Sequence, residues 1–273
     1  MKRFVRPILH ILLLIASSLC LVNIIITIQE IKSGQVSQNV STSLLQSRMG
    51  TKFPIESFVM LETEVTYYRT ACDEQGTRCI NDGIPVSVTR GSASGVIVGE
   101  CGNDCSLVLT AAHVCSSSGP GAPLPLENVS VDYQIDLTTG FGRSTVGTVI
   151  ATDEDNDLCM LITQSYIGPP LQISSDNLIM HQDVYNMASP LGLAVPFAVP
   201  VFSGYYAGEV DGLAIFTFPV APGSSGSPIM NDDGEILGLI SGAAINFDEF
   251  AIGSKTQAVR SFVLAVEVSL AGY

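Results

Sequence analysis

Short apolar runs separated by turn residues dominate the chain after its first fifty residues. Examples are SFVMLETEV, SGVIVGE, SLVLTAA, TVGTVIATD, DLCMLIT and EILGLISGAA. They are rich in Val, Ile, Thr, Phe and Tyr and recur at short spacing without helical periodicity between them. That pattern predicts an all-β sandwich or barrel rather than alternating strands and helices. One amphipathic helix is expected near the C-terminus, where Val259, Phe262, Val263 and Val266 fall at helical spacing. Ser254 followed by Gln257 predicts a capping box at its start.

The beginning of the chain is different. From Ile8 to Ile28 there is no charged residue, and Lys2, Arg3 and Arg6 precede the run. A bilayer needs about 20 apolar residues as a helix, and flanking positive residues stay on the cytoplasmic side. Residues 1–30 therefore predict one transmembrane signal anchor, 31–55 a polar, Ser- and Gln-rich linker, and 56–273 a folded domain on the non-cytoplasmic face, periplasmic or extracellular. The alternative is a cleaved signal peptide and a secreted protein. A signal peptide's apolar core is usually about 7–15 residues with small residues at the cleavage site, whereas here Gln29, Glu30, Ile31 and Lys32 follow a longer run.

Net charge and cysteine usage narrow the class. The 273-residue chain carries a formal charge of −14, with no basic cluster beyond the N-terminus. Nucleic acid is excluded as a partner on that ground, since phosphate binding needs clustered Lys and Arg. Cys20 lies in the anchor, and six further cysteines, Cys72, Cys79, Cys101, Cys105, Cys115 and Cys159, lie in the domain. Their spacings do not match paired metal ligands, so no metal or other cofactor is expected. In an exported domain they are disulfide candidates. Cys72/Cys79 and Cys101/Cys105 each bracket a turn-like stretch, which would leave Cys115 and Cys159 to pair over a long range; six cysteines allow many other connectivities.

Three short stretches carry candidate chemistry. LVLTAAHVC ends an apolar strand in small residues and presents His113; DEDNDLCMLIT places Asp157 directly before an apolar strand; PGSSGSPIM holds Ser224, Ser225 and Ser227 among glycines and prolines. A serine hydroxyl needs an adjacent base to become a nucleophile, and a histidine base needs an acceptor on its other ring nitrogen. The chain has three histidines, of which His10 lies in the anchor and His181 in IMHQDVYN without distinctive surroundings. His113 is thus the candidate base and Asp157 its orienting acid.

LTAAHVC, DNDLCMLI and PGSSGSP, in that order and 44 and 68 residues apart, resemble the three catalytic motifs of trypsin-like serine peptidases of the chymotrypsin fold. GSASGVIVGE, ASPLGL, VFSGYYAG and FAIGSKTQAVRSFV resemble flanking segments, the second and third those of the bacterial exported, heat-shock-protease-type branch without a PDZ domain. The resemblance implies two six-stranded antiparallel β-barrels, meeting near residues 165–180, with a C-terminal helix. It implies a serine endopeptidase acting through His113, Asp157 and Ser225, with the backbone N–H groups of Gly223 and Ser225 as oxyanion hole, and polypeptides as substrates. The rival elbow of α/β hydrolases, G-x-S-x-G, fails because position 227 is Ser.

By the same resemblance the pocket base lies near Pro219 and one wall at Ser241, Gly242 and Ala243, which lends no support to Lys or Arg before the scissile bond and favours a small or medium apolar residue. Ser224 stands where the zymogen-activated branch has Asp, so activation by that ion pair is not expected. Cys115 and Cys159 follow His113 and Asp157 by two residues each; a bridge there would clamp base to acid, the alternative being two buried free thiols. The competing function is a catalytically latent chymotrypsin-fold domain that binds proteins.

Overall fold

The computed structural model describes residues 53–72, 79–102, 104–116, 129–244 and 247–271. The expected membrane span, residues 8–28, and the linker up to residue 52 lie outside the described residues. Among the described residues no helix is long and apolar enough to cross a membrane.

Strands β1 (Phe58–Cys72), β2 (Cys79–Glu100), β3 (Ser106–Thr110), β4 (Val129–Thr139), β5 (Ser144–Asp153) and β6 (Leu158–Thr163) close a first barrel in the order β1-β2-β3-β6-β5-β4. Strands β7 (Asp183–Met187), β8 (Val201–Val210), β9 (Leu213–Phe216), β10 (Pro228–Met230), β11 (Ile236–Ala244) and β12 (Phe247–Gly253) close a second, in the order β10-β11-β12-β9-β8-β7. All pairings within both barrels are antiparallel. Closure removes the exposed edges that an open sheet would present. The architecture is the all-β, two-barrel arrangement expected, with one C-terminal helix, α1 (Thr256–Ala271).

Each barrel has its own core. Val59, Leu61, Ile97, Val108, Leu137 and Leu161 fill the first; Phe216, Phe218, Leu237 and Ile240 lie at the centre of the second. The rings of Phe216 and Phe218 stack at 5.8 Å, and both side chains are fully removed from water, each burial worth roughly 1.5–3 kcal/mol. Local chemistry sets the turns. Val210 and Leu213 pair across Asp211–Gly212, both at positive φ (51° and 85°), the conformation a type I′ hairpin demands and Asp-Gly supplies.

Helix α1 buries Val259, Phe262, Val263 and Val266 as the spacing predicts. Its start differs from expectation. The Ser254 hydroxyl accepts the N–H of Leu239 in β11 at 3.0 Å, and the Lys255 carbonyl accepts the first helical bond, from Val259. The buried Thr256 hydroxyl donates to the Leu237 carbonyl at 2.6 Å. Ser254 therefore ties the helix to the barrel instead of capping it, because a buried strand N–H without a partner would be costly.

β1 and β2 run well past the first barrel. β2 meets β3 only through Val96–Glu100, and β4 meets β5 only through Ile135–Thr138. Beyond them β2, β1 and β4 continue as a three-stranded wing, with Tyr67 paired to Ser87 on one side and Val131 on the other.

Two disulfides join described residues. Cys101–Cys105 closes the β2–β3 turn, with Cα atoms 5.2 Å apart. Cys115–Cys159 links the segment after β3 to β6, with Cα atoms 6.5 Å apart. Both pairings are those expected. Cys72 and Cys79 face each other in register across the β1–β2 hairpin, and their side chains lie outside the described residues. A cross-link spanning 44 residues restricts the unfolded chain. Replacing Cys115 and Cys159 together by Ala is expected to lower stability by about 2–5 kcal/mol, read as a reduced urea midpoint under non-reducing conditions; an unchanged midpoint would show that the bridge adds nothing.

Candidate active site

The base and its acid arrive from adjacent strands of the first barrel. β3 and β6 pair directly, Thr110 opposite Cys159. β3 ends at Thr110 and the chain turns at once into a single 3-10 turn, Ala112–Val114, which carries His113 out of the barrel wall. The small, buried Ala111 and Ala112 let that turn lie flat against the core. Asp157 closes the tight β5–β6 hairpin. It sits in the left-handed region (φ 53°), a conformation Asp tolerates better than most residues. Asp153 builds the loop before it, accepting from the Asn156 backbone N–H at 3.1 Å and side-chain amide at 2.8 Å.

The Asp157 carboxylate embraces His113 at two levels. One oxygen accepts the His113 backbone N–H at 3.0 Å. Both oxygens lie within bonding distance of Nδ1, at 3.0 and 2.9 Å. Since an ionised carboxylate only accepts, Nδ1 carries the proton and Nε2 presents its lone pair. The two side chains retain 34% and 22% of their exposure, enough for Nε2 to be reached from the cleft.

The serine loop arrives from the second barrel, between β9 and β10. Gly226 has φ 79°, and a Cβ there would collide with Thr110 Oγ1 and the Ser94 carbonyl. The loop thus packs directly on the first barrel. Ser94, on β2 and fully buried, holds it from both ends: its N–H donates to the Ser225 carbonyl at 2.8 Å, and its hydroxyl donates to the Gly223 carbonyl at 2.8 Å while accepting from the Ser189 N–H at 2.9 Å.

The peptide between Pro222 and Gly223 is oriented as well. Its carbonyl accepts the Leu191 N–H at 2.6 Å. In a planar trans peptide the N–H points the opposite way from the carbonyl, so the Gly223 N–H is turned away from Leu191. The N–H groups of Ser224 and Gly226 donate to Ala221 and Ile240, while those of Gly223 and Ser225 donate to no acceptor among the described residues. Two free donors, the N–H of Ser225 and that of Gly223 two residues before it, are what a developing oxyanion requires.

His113, Gly223, Ser225 and Ser241 line one cavity of about 590 Å³. A smaller cavity of about 270 Å³ borders Ser225 and is lined by Val220, Ala221, Ile240, Gly242 and Ala243. Of the expected pocket residues, Ser241, Gly242 and Ala243 are therefore at the site. Pro219 is exposed and lines neither cavity; Val220, one residue on in the irregular segment after β9, is buried and lines the smaller one instead. His181 lies in an exposed turn and lines neither cavity. Among the described residues no cluster of His, Cys, Asp and Glu could hold a metal ion.

The trypsin-like peptidase domain matches residues 93–239, which include His113, Asp157 and Ser225. The chain belongs to this family. Its fold is similar to that of the active form of the Rv3671c protease from M. tuberculosis, with a TM-score of 0.51 over 76% of this chain and 79% of that one, at 17% identity. No curated protein matches the sequence.

Three residues of the peptidase domain's site escaped the sequence reading. Ser94 and Leu191 act through backbone and hydroxyl bonds to the serine loop. Tyr133, on β4, donates its hydroxyl to the Val114 carbonyl, directly behind His113, and packs against the first barrel's core. None belongs to a motif; the closest hint is the run of small residues around Ser94, GSASG, which marks a close approach of chains.

Burial pushes the Tyr133 phenol from 10.0 up to about 12. Its folded-state pKa lies above the unfolded value, so the folded chain holds the proton more tightly. The corresponding stability is complete below pH 10 and is lost as pH rises toward 12. An ultraviolet phenolate titration is expected to show one tyrosine ionising near pH 12 that is missing from Tyr133→Phe; a wild-type curve identical to that of the variant near this pH would contradict it.

Proposed function

We propose that the domain is a serine endopeptidase working through His113, Asp157 and Ser225. The supporting observation is the two-level bond from the Asp157 carboxylate to His113, on a cavity shared with Ser225, whose own backbone N–H and that of Gly223 are unengaged among the described residues. Ser225 Oγ attacks the substrate carbonyl carbon while His113 Nε2 takes its proton. Asp157 holds the opposite Nδ1–H and stabilises the imidazolium. The carbonyl oxygen becomes an anion between the Gly223 and Ser225 N–H groups. Collapse breaks the C–N bond, His113 returns the proton to the leaving amine, and an acyl-enzyme remains. Water, deprotonated by His113, then releases the acid and frees Ser225.

Substrates are polypeptides in this reading. The Ser241 backbone pairs with the extended chain, and the small apolar cavity receives a small or medium apolar residue before the scissile bond, with Val220 in place of Pro219 near its base. The apolar run at residues 8–28 supports a single-pass anchor, with residues 31–55 as tether and the domain from residue 56 on the periplasmic or extracellular side. The disulfides support that compartment, since they persist where conditions are oxidising.

Labelling of the detergent-solubilised full chain with a fluorophosphonate probe tests the chemistry. Wild type is expected to label and Ser225→Ala not to. Asp157→Asn, which leaves His113 in the wrong tautomer, is expected to lower kcat by about 10⁴. Equal labelling of wild type and Ser225→Ala would remove Ser225 as nucleophile, and no labelling of either would favour a protein-binding domain without activity. Fractionation tests the anchor: the chain should stay in the membrane pellet after a carbonate wash and lose this property when residues 8–28 are deleted.

A further inference from the structure

The cavity shared by His113 and Ser225 extends beyond the reacting groups onto the wing, and its shape has a chemical meaning. Side chains alternate along a strand, so Thr63, Val65 and Tyr67 of β1 share one face. Register sets their neighbours: Thr89 and Tyr133 flank Val65, and Ser87 and Val131 flank Tyr67. Thr63, Val65, Tyr67, Thr89 and Tyr133 all line the cavity, as does Val114 beside His113. Its volume, about 590 Å³, is roughly twice that of the small cavity on the β11 side of Ser225, about 270 Å³.

The position of His113 decides which part of a substrate lies there. His113 must deliver its proton to the departing nitrogen, so the chain beyond that nitrogen runs over the face bounded by His113, Pro222 and Gly223. These residues border the wing cavity, whereas Gly242 and Ala243 border only the smaller one. The wing therefore faces the residues that follow the scissile bond.

The lining then decides the side chain. Val65, Val114 and the two tyrosine rings form an apolar wall. The Tyr133 hydroxyl is committed to the Val114 carbonyl, which fixes its ring as a rigid surface. Arg90 on the lining is already paired with Glu64 at 2.7 Å, and the His113 Nδ1–H is committed to Asp157 at 2.9 Å. A buried charge on the substrate would find no partner, while an apolar group would lose water at no electrostatic cost. We propose that the enzyme selects substrates by a bulky apolar side chain within the first two residues after the scissile bond, seated on Val65, Tyr67 and Tyr133. This inference rests on the peptidase reading above.

The test uses the full-length protein and internally quenched peptides with a constant apolar half before the scissile bond. The two positions after it are varied among Gly, Asp, Lys, Leu and Phe. For wild type, kcat/KM for Leu or Phe is expected to exceed that for Gly by about tenfold or more, with Asp and Lys no better than Gly. Tyr67→Ala removes part of the wall, and Thr89→Trp fills the cavity from its rim; both are expected to bring the ratio toward one. The ratio is internal to each protein and so does not depend on how much of a variant folds. A ratio near one in wild type, or one unchanged in both variants, would overturn the inference. Fluorophosphonate labelling of wild type separates the two levels. A labelled enzyme with a flat ratio overturns this proposal alone; a chain that neither labels nor cleaves overturns the peptidase reading with it.

Discussion

One buried serine hydroxyl connects the two halves of this molecule. Ser94 belongs to the first barrel, yet three of its bonds go to the second: to the carbonyls of Gly223 and Ser225 and from the N–H of Ser189. A hydroxyl offers one donor and two acceptor positions, and here the donor and one acceptor are used across the barrel interface. A buried polar group in this position is tolerable only when satisfied, and the loop it satisfies has few bonds of its own. Gly226 completes the constraint from the other side, since any side chain there would strike Thr110 and Ser94. The Ser225 loop is thus shaped by the first barrel as much as by its own sequence.

The same logic runs through the base and acid. His113 and Asp157 stand at the ends of paired strands, so the barrel's hydrogen bonding sets their separation before any side chain is considered. The disulfide from Cys115, just after the His113 turn, to Cys159 on β6 ties the same two segments covalently, and Tyr133 braces that turn from behind.

What was legible in the sequence follows from this. Strand-edge positions are visible in one dimension: an apolar run ending at Ala111–Ala112 before His113, and another beginning after Asp157. The helical stripe of Val259, Phe262, Val263 and Val266 is likewise a local pattern, and it appears as read. The capping role assigned to Ser254 failed because the demand of a strand N–H, from Leu239, lies outside the local window. The pocket base was read only to within a residue: alignment by motif counts positions, but the irregular path of the chain after β9 decides that Val220 rather than Pro219 faces the smaller cavity. Ser94, Leu191 and Tyr133 were missed because their contribution is a bond to a segment far away in sequence; the small residues around Ser94 hint at a close approach but not at what approaches. The wing was hidden in the same way, as its extent depends on where β3 and β5 stop pairing.

The Ser94–Gly223 bond spans 129 residues and the Ser94–Ser189 bond 95. Contacts of such separation form only after the long intervening chain has been ordered. A chain in which only the first barrel has formed holds His113 and Asp157 together but has no shaped Ser225 loop beside them. The geometry around Ser225 is therefore a property of the docked pair of barrels and of neither one by itself.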